Sequence, residues 1–142
     1  MSYNNENNLV HKRYGAGLGS TGQYLVSGIP YITGSSSLAA SGEHTIEFPS
    51  VTKAVTVISR GSSDIRVHFA SKDTGNTISG LHYTTLKNDG DSITFNVKCA
   101  NIYISNADGS STASYEVLAE LTGIPRGEMF ELNRTGQRGI SE

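Results

Sequence analysis

The stretch that decides the fold is Ser92-Ile93-Thr94-Phe95-Asn96-Val97-Lys98-Cys99, in which polar and apolar residues alternate without a break. Successive side chains of a β-strand point to opposite faces, so the four apolar residues share one face of this segment. The same period of two recurs in Asp64-Ile65-Arg66-Val67-His68-Phe69 and in Tyr115-Glu116-Val117-Leu118-Ala119-Glu120-Leu121. These three segments predict half-buried strands that contribute one face each to a common core.

Five further segments have the composition of strands and bring the predicted number to roughly eight. They are Tyr24–Ile32, His44–Phe48, Ala54–Ser59, Leu81–Leu86 and Asn101–Ser105. Turn signals rich in Asn, Asp and Gly separate them, and no window repeats at helical spacing. The pattern predicts an all-β protein, an antiparallel β-sandwich that is jelly-roll-like. Its predicted core comprises Ile46, Phe48, Val55, Val57, Ile65, Val67, Phe69, Ile93, Phe95, Val97, Val117 and Leu121.

Composition excludes several classes of partner. The formal net charge is -2 and charged residues make up only 17%, so we expect neither nucleic acid nor a membrane surface to bind by bulk electrostatics. No stretch reaches the roughly 18 apolar residues of a membrane span, and no secretory signal is evident. The single cysteine, Cys99, has no intramolecular partner, which favours synthesis in a reducing cytoplasm.

The two ends of the chain carry isolated apolar residues among Gly and polar residues, with neither period. Such segments cannot bury enough apolar surface to fold alone and need a partner surface to become ordered. The sequence therefore predicts an N-terminal arm over 1–22, a β-sandwich domain over 23–125 and a C-terminal arm over 126–142. The predicted assembly interface consists of Tyr14, Leu18, Tyr24, Ile29, Tyr31, Met129, Phe130 and Leu132.

No local motif predicts a cofactor, a metal or catalysis. Gly17–Gly22 matches GxGxxG, but the sequence indicates neither the strand before it nor the helix after it that a dinucleotide site requires, so we interpret it as a flexible arm. The four histidines lack metal-ligand spacing, and His68 is expected to point outward beside Arg66 as an ordinary polar strand residue.

The remaining candidates for chemistry also have structural interpretations. Asp89-Gly90-Asp91 and Asp108-Gly109 lack the ligand series of a calcium loop and are predicted to be turns. Cys99 is predicted to face the core, where a thiol is inert. Asn133-Arg134-Thr135 fits the glycosylation pattern by chance, because no secretory signal accompanies it. We therefore expect no enzyme activity.

Three phrases carry a family resemblance: Ser27-Gly28-Ile29-Pro30-Tyr31-Ile32-Thr33-Gly34-Ser35-Ser36, Phe48-Pro49-Ser50-Val51-Thr52-Lys53 and Leu121-Thr122-Gly123-Ile124-Pro125. With them the chain resembles small virion structural proteins of marine tailed bacteriophages, similar to capsid decoration or cement subunits. The resemblance implies a subunit on the exterior of the virion capsid that stabilises the phage head. It also implies the major capsid protein and neighbouring virion subunits as partners.

Repeated subunits form closed cyclic oligomers by default, so a homo-oligomer is expected, and a trimer would match a local threefold of a capsid. Two other functions remain open. One is a receptor- or glycan-binding module on a head or tail fibre, although glycan sites favour exposed aromatic rings and the chain has seven Tyr and no Trp. The other is an enzyme, such as a virion-associated depolymerase or lysin.

Overall fold

A computed structural model describes residues 17–19, 21–25, 28–72 and 77–130 of the protein. These residues form one short helix, eight strands and a single 3₁₀ turn at Arg126–Glu128. The helix, α1, spans Thr21–Leu25. The strands are β1 Ile29–Leu38, β2 Glu43–Glu47, β3 Ser50–Ser59, β4 Ile65–His68, β5 Thr84–Leu86, β6 Ser92–Phe95, β7 Asn101–Asn106 and β8 Ala113–Pro125.

The strands form two antiparallel sheets of four, in the orders β1-β8-β3-β6 and β2-β7-β4-β5. The predicted β-sandwich is confirmed. The first four strands pair with the last four in reverse order, β1 with β8, β2 with β7, β3 with β6 and β4 with β5. The strands are therefore paired as in one long hairpin that is folded over on itself. Additional pairing of β3 with β8 and of β4 with β7 joins these pairs into the two four-stranded sheets.

The core lies between the inner faces of the two sheets. It contains Leu38, Ile46, Phe48, Val55, Val57, Ile65, Val67, Leu86, Cys99, Ile102, Ile104, Ala113, Tyr115, Val117, Ala119 and Leu121. Eight of the residues predicted from the alternation are buried there: Ile46, Phe48, Val55, Val57, Ile65, Val67, Val117 and Leu121. The orientation of these strands was thus predicted correctly, because period two assigns each side chain to a face whatever the strand's partner is.

The other four predicted core residues, Phe69, Ile93, Phe95 and Val97, are only partly buried and pack against the core. The rings of Phe69 and Phe95 meet edge to face with centroids 5.2 Å apart. Strand β6 is an edge strand, so its inward side chains have a neighbouring strand on one side only. The predicted face is correct, and the partial exposure follows from the position at the edge.

Three predicted strands contain three or more residues that lie outside the observed strands. The segment Tyr24–Ile32 is not one strand, since residues 21–25 are helical and β1 begins at Ile29 and continues to Leu38. Of Leu81–Leu86 only the last three residues form a strand, because Leu81 adopts a φ of 60° that a strand does not accept. The ladder of Ser92–Cys99 ends at Phe95.

The prediction that His68 points outward as an ordinary polar strand residue is correct for the direction and wrong for the surroundings. His68 alternates with the buried Val67 and pairs across to Tyr103, which places it on the outer face of its sheet. Its side chain is nevertheless 1% exposed, because the chain that follows β4 folds back over it. The carbonyl oxygen of Ala70 lies 2.6 Å from its Nδ1 atom.

Candidate functional site

The edge strands of the two sheets are the candidate assembly surfaces. In the described part of the chain, β1 and β6 end one sheet and β2 and β5 end the other. The strands β2, β5 and β6 have three to five residues, whereas β1 has ten, and its sequence IPYITGSSSL contains no charged residue. Long, uncharged edges are templates for pairing with another chain, and natural proteins usually shorten or charge them.

Strand β1 has two features that limit where another strand can pair with it. Pro30 lacks the N–H group that a ladder requires. The register against β8 shifts between Ser35 and Leu38, which marks a bulge. The regular part of the edge therefore extends from Ile29 to Ser35.

Exposed apolar side chains accompany this edge on its outer face and at its start. Ile32 is 75% exposed and lies directly opposite Leu118 of β8, which is 42% exposed. Ile29, the first residue of β1, is 60% exposed, and Leu25 of α1 is 68% exposed. Ile29 pairs with the buried Leu121 and lies on the opposite face of β1 from Ile32. We name Ile32 and Leu118, which share the outer face, the β1 apolar surface. Side chains of this kind gain free energy when a partner removes them from water.

The predicted interface residues fall into three groups. Ile29 and Phe130 are exposed, the latter by 46%, whereas Leu18 and Met129 are half-buried. Tyr31 is half-buried on the inner side of β1, where its ring packs edge to face on Phe48, so this ring contributes to the core. Tyr14, Leu132 and the side chain of Tyr24 lie outside the described residues, and an interface role for the set stays a prediction.

Sequence reasoning missed three residues of this region. Ile32 and Leu118 sit at positions where the alternation calls for outward polar residues, so an apolar residue there was a usable signal of a contact surface. Arg126 was also missed. Its guanidinium donates to the carbonyl oxygen of Phe48 and to Oδ1 of Asn101, both at 2.8 Å, and fixes the chain that follows β8 to the end of the sandwich.

The described N-terminal segment approaches the same end of the sandwich as Arg126. Helix α1 contacts β8, and the ammonium group of Lys98 donates to the carbonyl oxygen of Leu18. Ile29 pairs with Leu121 only four residues before β8 ends at Pro125. Both predicted arms therefore join the sandwich at one end, although their boundaries at residues 22 and 126 stay predictions.

A second cluster of polar side chains lies under residues 69–72, on the outer face of the other sheet. The Glu43 carboxylate accepts hydrogen bonds from the Ser71 hydroxyl at 2.9 Å and from the Lys72 amide at 2.7 Å. Nε2 of His68 lies 3.0 Å from Oγ of Ser105 and 3.8 Å from the Glu43 carboxylate. These contacts hold the segment after β4 against β2 and β7.

The electrostatics of this cluster keep His68 neutral. Burial lowers its pKa below 6.5, and the charges of Arg66 and Lys72 act in the same direction. The Ala70 carbonyl and the Glu43 carboxylate oppose the shift. With Nδ1–H donating to Ala70, Nε2 is left to accept a hydrogen bond from the Ser105 hydroxyl.

The Ser105–His68 contact has the geometry of a nucleophile and its base, so its accessibility matters. Ser105 is 3% exposed and His68 is 1% exposed, and the group that orients the imidazole is a backbone carbonyl. His68 also stacks on Tyr103, with the two rings 5° from parallel. Every polar atom of the imidazole is used to hold the fold, so the arrangement serves packing.

The other chemical candidates are structural in their surroundings. The Cys99 thiol is buried, which raises its pKa to about 11, and it contacts the Thr52 hydroxyl at 3.2 Å. The predicted turn at Asp108 is present: its carboxylate accepts hydrogen bonds from the amides of Ser110 and Ser111, which lower its pKa. His44 bonds through Nδ1 to the Tyr115 hydroxyl at 2.8 Å.

The glycine motif Gly17–Gly22 is followed by a helix after all, contrary to the sequence interpretation, but α1 has only five residues. No strand precedes it among the described residues. Within the described ranges, no group of three or more His, Cys, Asp or Glu side chains is placed to hold a metal ion. None of the helices described is long and apolar enough to cross a membrane.

An open groove of about 530 Å³ lies beside the β1 bulge. It is lined by residues 34–37 of β1, by Arg60 and by residues 114–116 of β8. The guanidinium of Arg60 and the carboxylate of Glu116 pair at 3.3 Å, with both side chains about half exposed. Hydroxyl groups and this ion pair supply polar groups to part of the groove lining.

Comparison with known proteins adds no relative to this description. No protein-family model matches the chain, and no curated protein is significantly similar to it.

Proposed function

We propose that this protein is a structural subunit of a virus particle, a capsid decoration or cement protein that binds the exterior of a phage head. The observation that carries the proposal is the uncharged edge of β1, which pairs among the described strands with β8 alone, together with the β1 apolar surface beside it. A compact sandwich that leaves its longest edge open is suited to lateral contact with the copies and shell proteins around it. The protein acts through binding and needs no catalysis in this role.

The order of the strands supports the proposal. The strands pair first with last, second with seventh, third with sixth and fourth with fifth, and on this order we propose a jelly-roll connectivity. Jelly rolls are frequent in viral capsid domains, and they also occur in lectins and cupins. The fold therefore raises the expectation of a virion protein without deciding the function, which depends on surfaces.

The arms supply the second contact. Arg126 anchors the chain after β8, and α1 anchors the chain before β1, at one end of the sandwich. We propose that the residues beyond these anchors bind the major capsid protein and neighbouring subunits. A few apolar side chains at roughly 1.5–3 kcal/mol each offset the ordering of a short arm only when main-chain pairing or many copies help, so binding is cooperative with assembly.

Co-expression with the capsid protein of the same virus tests this role. We expect the full chain to sediment with purified shells at a fixed copy number, and a chain that lacks residues 1–22 to remain folded by circular dichroism but to bind shells more weakly. The truncation removes none of the described strands, since β1 begins at Ile29, but it removes the first two residues of α1. If the full chain does not sediment with the shells, the proposal is contradicted. If the truncated chain binds shells as tightly as the full chain, the contact lies on the sandwich and not on the arm.

A second function, glycan or receptor binding on a fibre, is favoured by one observation, the open groove at the β1 bulge with hydroxyl and charged groups in its lining. Hydroxyl groups of β1 and the Arg60–Glu116 pair offer hydrogen bonds to a sugar. Its one aromatic residue, Tyr115, is 3% exposed and presents no ring face for stacking. A glycan array with the wild type and with Arg60→Ala separates the two functions, because only a glycan site predicts a hit that the substitution abolishes.

A further inference from the structure

The open edge of β1 has a definite pattern of free main-chain groups. In an antiparallel strand, alternate residues direct both N–H and C=O to the same side. An edge strand accepts Pro where its missing N–H faces the open side, and Pro30 lies within the β1–β8 ladder opposite Glu120. Pro30, Ile32 and Gly34 therefore face the open edge, and the residues between them bond to β8.

This pattern selects one register for a second strand. Two copies of β1 that run antiparallel about a twofold axis pair regularly only when the axis passes through a residue. An axis at Thr33 places Ile32 opposite Gly34 of the second copy and reciprocally, which forms four N–H···O=C bonds with no proline among them. An axis at Ile32 also forms four bonds, but it brings Pro30 opposite Gly34 and leaves the Gly34 carbonyl oxygen of each copy without a donor. An axis at Gly34 extends the pairing into the bulge after Ser35.

The side chains fit the same register. On the outer face, Gly34 has no side chain, so Ile32 of the second copy has room beside it, and the two Ile32 side chains become diagonal neighbours. Each Ile32 lies directly opposite Leu118 of its own copy. The four residues form one apolar strip across the junction. Because β1 carries no charge, no like charges meet on the paired strands.

We propose that strand β1 pairs with β1 of a second copy of this chain about a twofold axis at Thr33, so that two four-stranded sheets become one sheet of eight strands. The inference rests on the proposed role as an assembling subunit and names the partner of its edge. Such a contact is isologous and closes on itself, which yields a dimer. The arms and the far faces of the dimer remain available for the shell.

Sedimentation of the full chain tests the dimer. We expect the mass of a dimer for the wild type and a dissociation constant raised by at least about tenfold in Ile32→Lys, because a lysine on an edge opposes pairing. Ile32 is 75% exposed, so the variant retains the wild-type thermal transition. The matched control is Thr45→Lys, at an exposed position of the edge strand β2, which leaves the mass unchanged.

A cysteine introduced at position 33 tests the register. In the proposed pair, Thr33 faces its own copy at a non-hydrogen-bonded position, with Cα atoms about 4.5 Å apart, within the range that a disulfide spans. Oxidation by glutathione disulfide is expected to cross-link Thr33→Cys to a covalent dimer. Ser35→Cys, on the same face, is offset by four residues from its own copy, roughly 13 Å, and is expected to stay uncross-linked.

Several results overturn the inference. A monomer at all concentrations, a trimeric mass, an unaltered dimer in Ile32→Lys, or cross-linking of Ser35→Cys in preference to Thr33→Cys each exclude the twofold at Thr33. If deletion of residues 1–22 abolished the cross-linking of Thr33→Cys, the N-terminal arm, and not pairing of the two β1 strands, would hold the copies together. Shell binding by a chain that sediments as a monomer would overturn the dimer while leaving the proposed virion role in place, so the two failures are distinguishable.

Discussion

At the scale of single residues, burial separates two phenylalanines that look equivalent in the sequence. The alternation predicts that both side chains point toward the core. Phe48, directly after β2, is fully buried, whereas Phe95 on edge strand β6 is only partly buried. The free energy lost on truncation depends on the contacts that are removed and on the cavity that remains. The alternation identifies the face of each ring, and the neighbouring strands decide how much of the ring is covered.

We therefore expect Phe48→Ala to lower the free energy of unfolding by roughly 3–5 kcal/mol and Phe95→Ala by less, roughly 1–3 kcal/mol. Phe48→Ala also removes the partner of the Tyr31 ring. Urea unfolding at a single pH measures both values. An equal or larger loss in Phe95→Ala would mean that the edge of the sandwich is covered in solution.

His68 predicts a pH dependence of stability. Burial lowers its pKa in the folded state below the 6.5 of an exposed histidine, so the unfolded chain takes up a proton in a range where the folded chain does not. Stability then rises with pH up to about 6.5 and is lost as the pH falls below it, with a limiting slope of about 1.4 kcal/mol per pH unit for one proton.

The variant His68→Asn tests this assignment, because the amide still donates to the Ala70 carbonyl but does not titrate. We expect the variant to be less stable than the wild type at pH 7 and to lose less stability between pH 7 and pH 5. Denaturant midpoints at each pH provide the comparison, and the other titrating groups cancel in the difference between the two proteins. Parallel pH profiles would show that another group carries the effect.

At the scale of elements, the pairing of β1 with β8 depends on a close approach at Gly34. A Cβ atom built there would lie 2.7 Å from the carbonyl oxygen of Tyr115, a backbone atom that cannot rotate away. The ladder from Ile29 to Ser35 thus requires a residue without a side chain at this point. The same small residue leaves the room for Ile32 in the proposed dimer.

We expect Gly34→Ala to lower the free energy of unfolding by roughly 1–3 kcal/mol, because β1 must shift relative to β8. The control is Gly127→Ala in the 3₁₀ turn, where an added Cβ meets nothing within 4 Å. Thermal unfolding of the two variants beside the wild type gives the comparison. Equal transitions for Gly34→Ala and the wild type would mean that the edge strand adjusts at no cost.

At the scale of the whole molecule, we predict that the two sheets and their core fold without a bound metal ion. In the part of the chain that the structure describes, no cluster of metal-ligating side chains is present, and the acidic turn at Asp108 satisfies its carboxylate with backbone amides. We expect a chelator such as EDTA to leave the thermal transition unchanged. A fall of many degrees, reversed by adding back a divalent cation, would contradict this expectation.

The sequence by itself determined the class of fold and the faces of most strands. Period two assigns Val55, Val57, Val117 and Leu121 to the core because alternation is a local property of extended backbone. It also placed the turns at Gly90 and Asp108, where local chemistry decides the conformation.

Only the tertiary structure decided the features that depend on distant partners. Residues Ser35–Ser37 have little preference for a strand, and β1 continues to Leu38 because Ser35 and Leu38, on either side of the bulge, both pair with β8. His68 is buried because residues 69–72 fold over an outward position, and Arg126 is held by the turn after β2 and the start of β7. The open edge of β1 is likewise a property of sheet order. Burial of an outward residue and exposure of a sheet edge both depend on which segments meet across the fold, and alternation within a single strand carries no information about that.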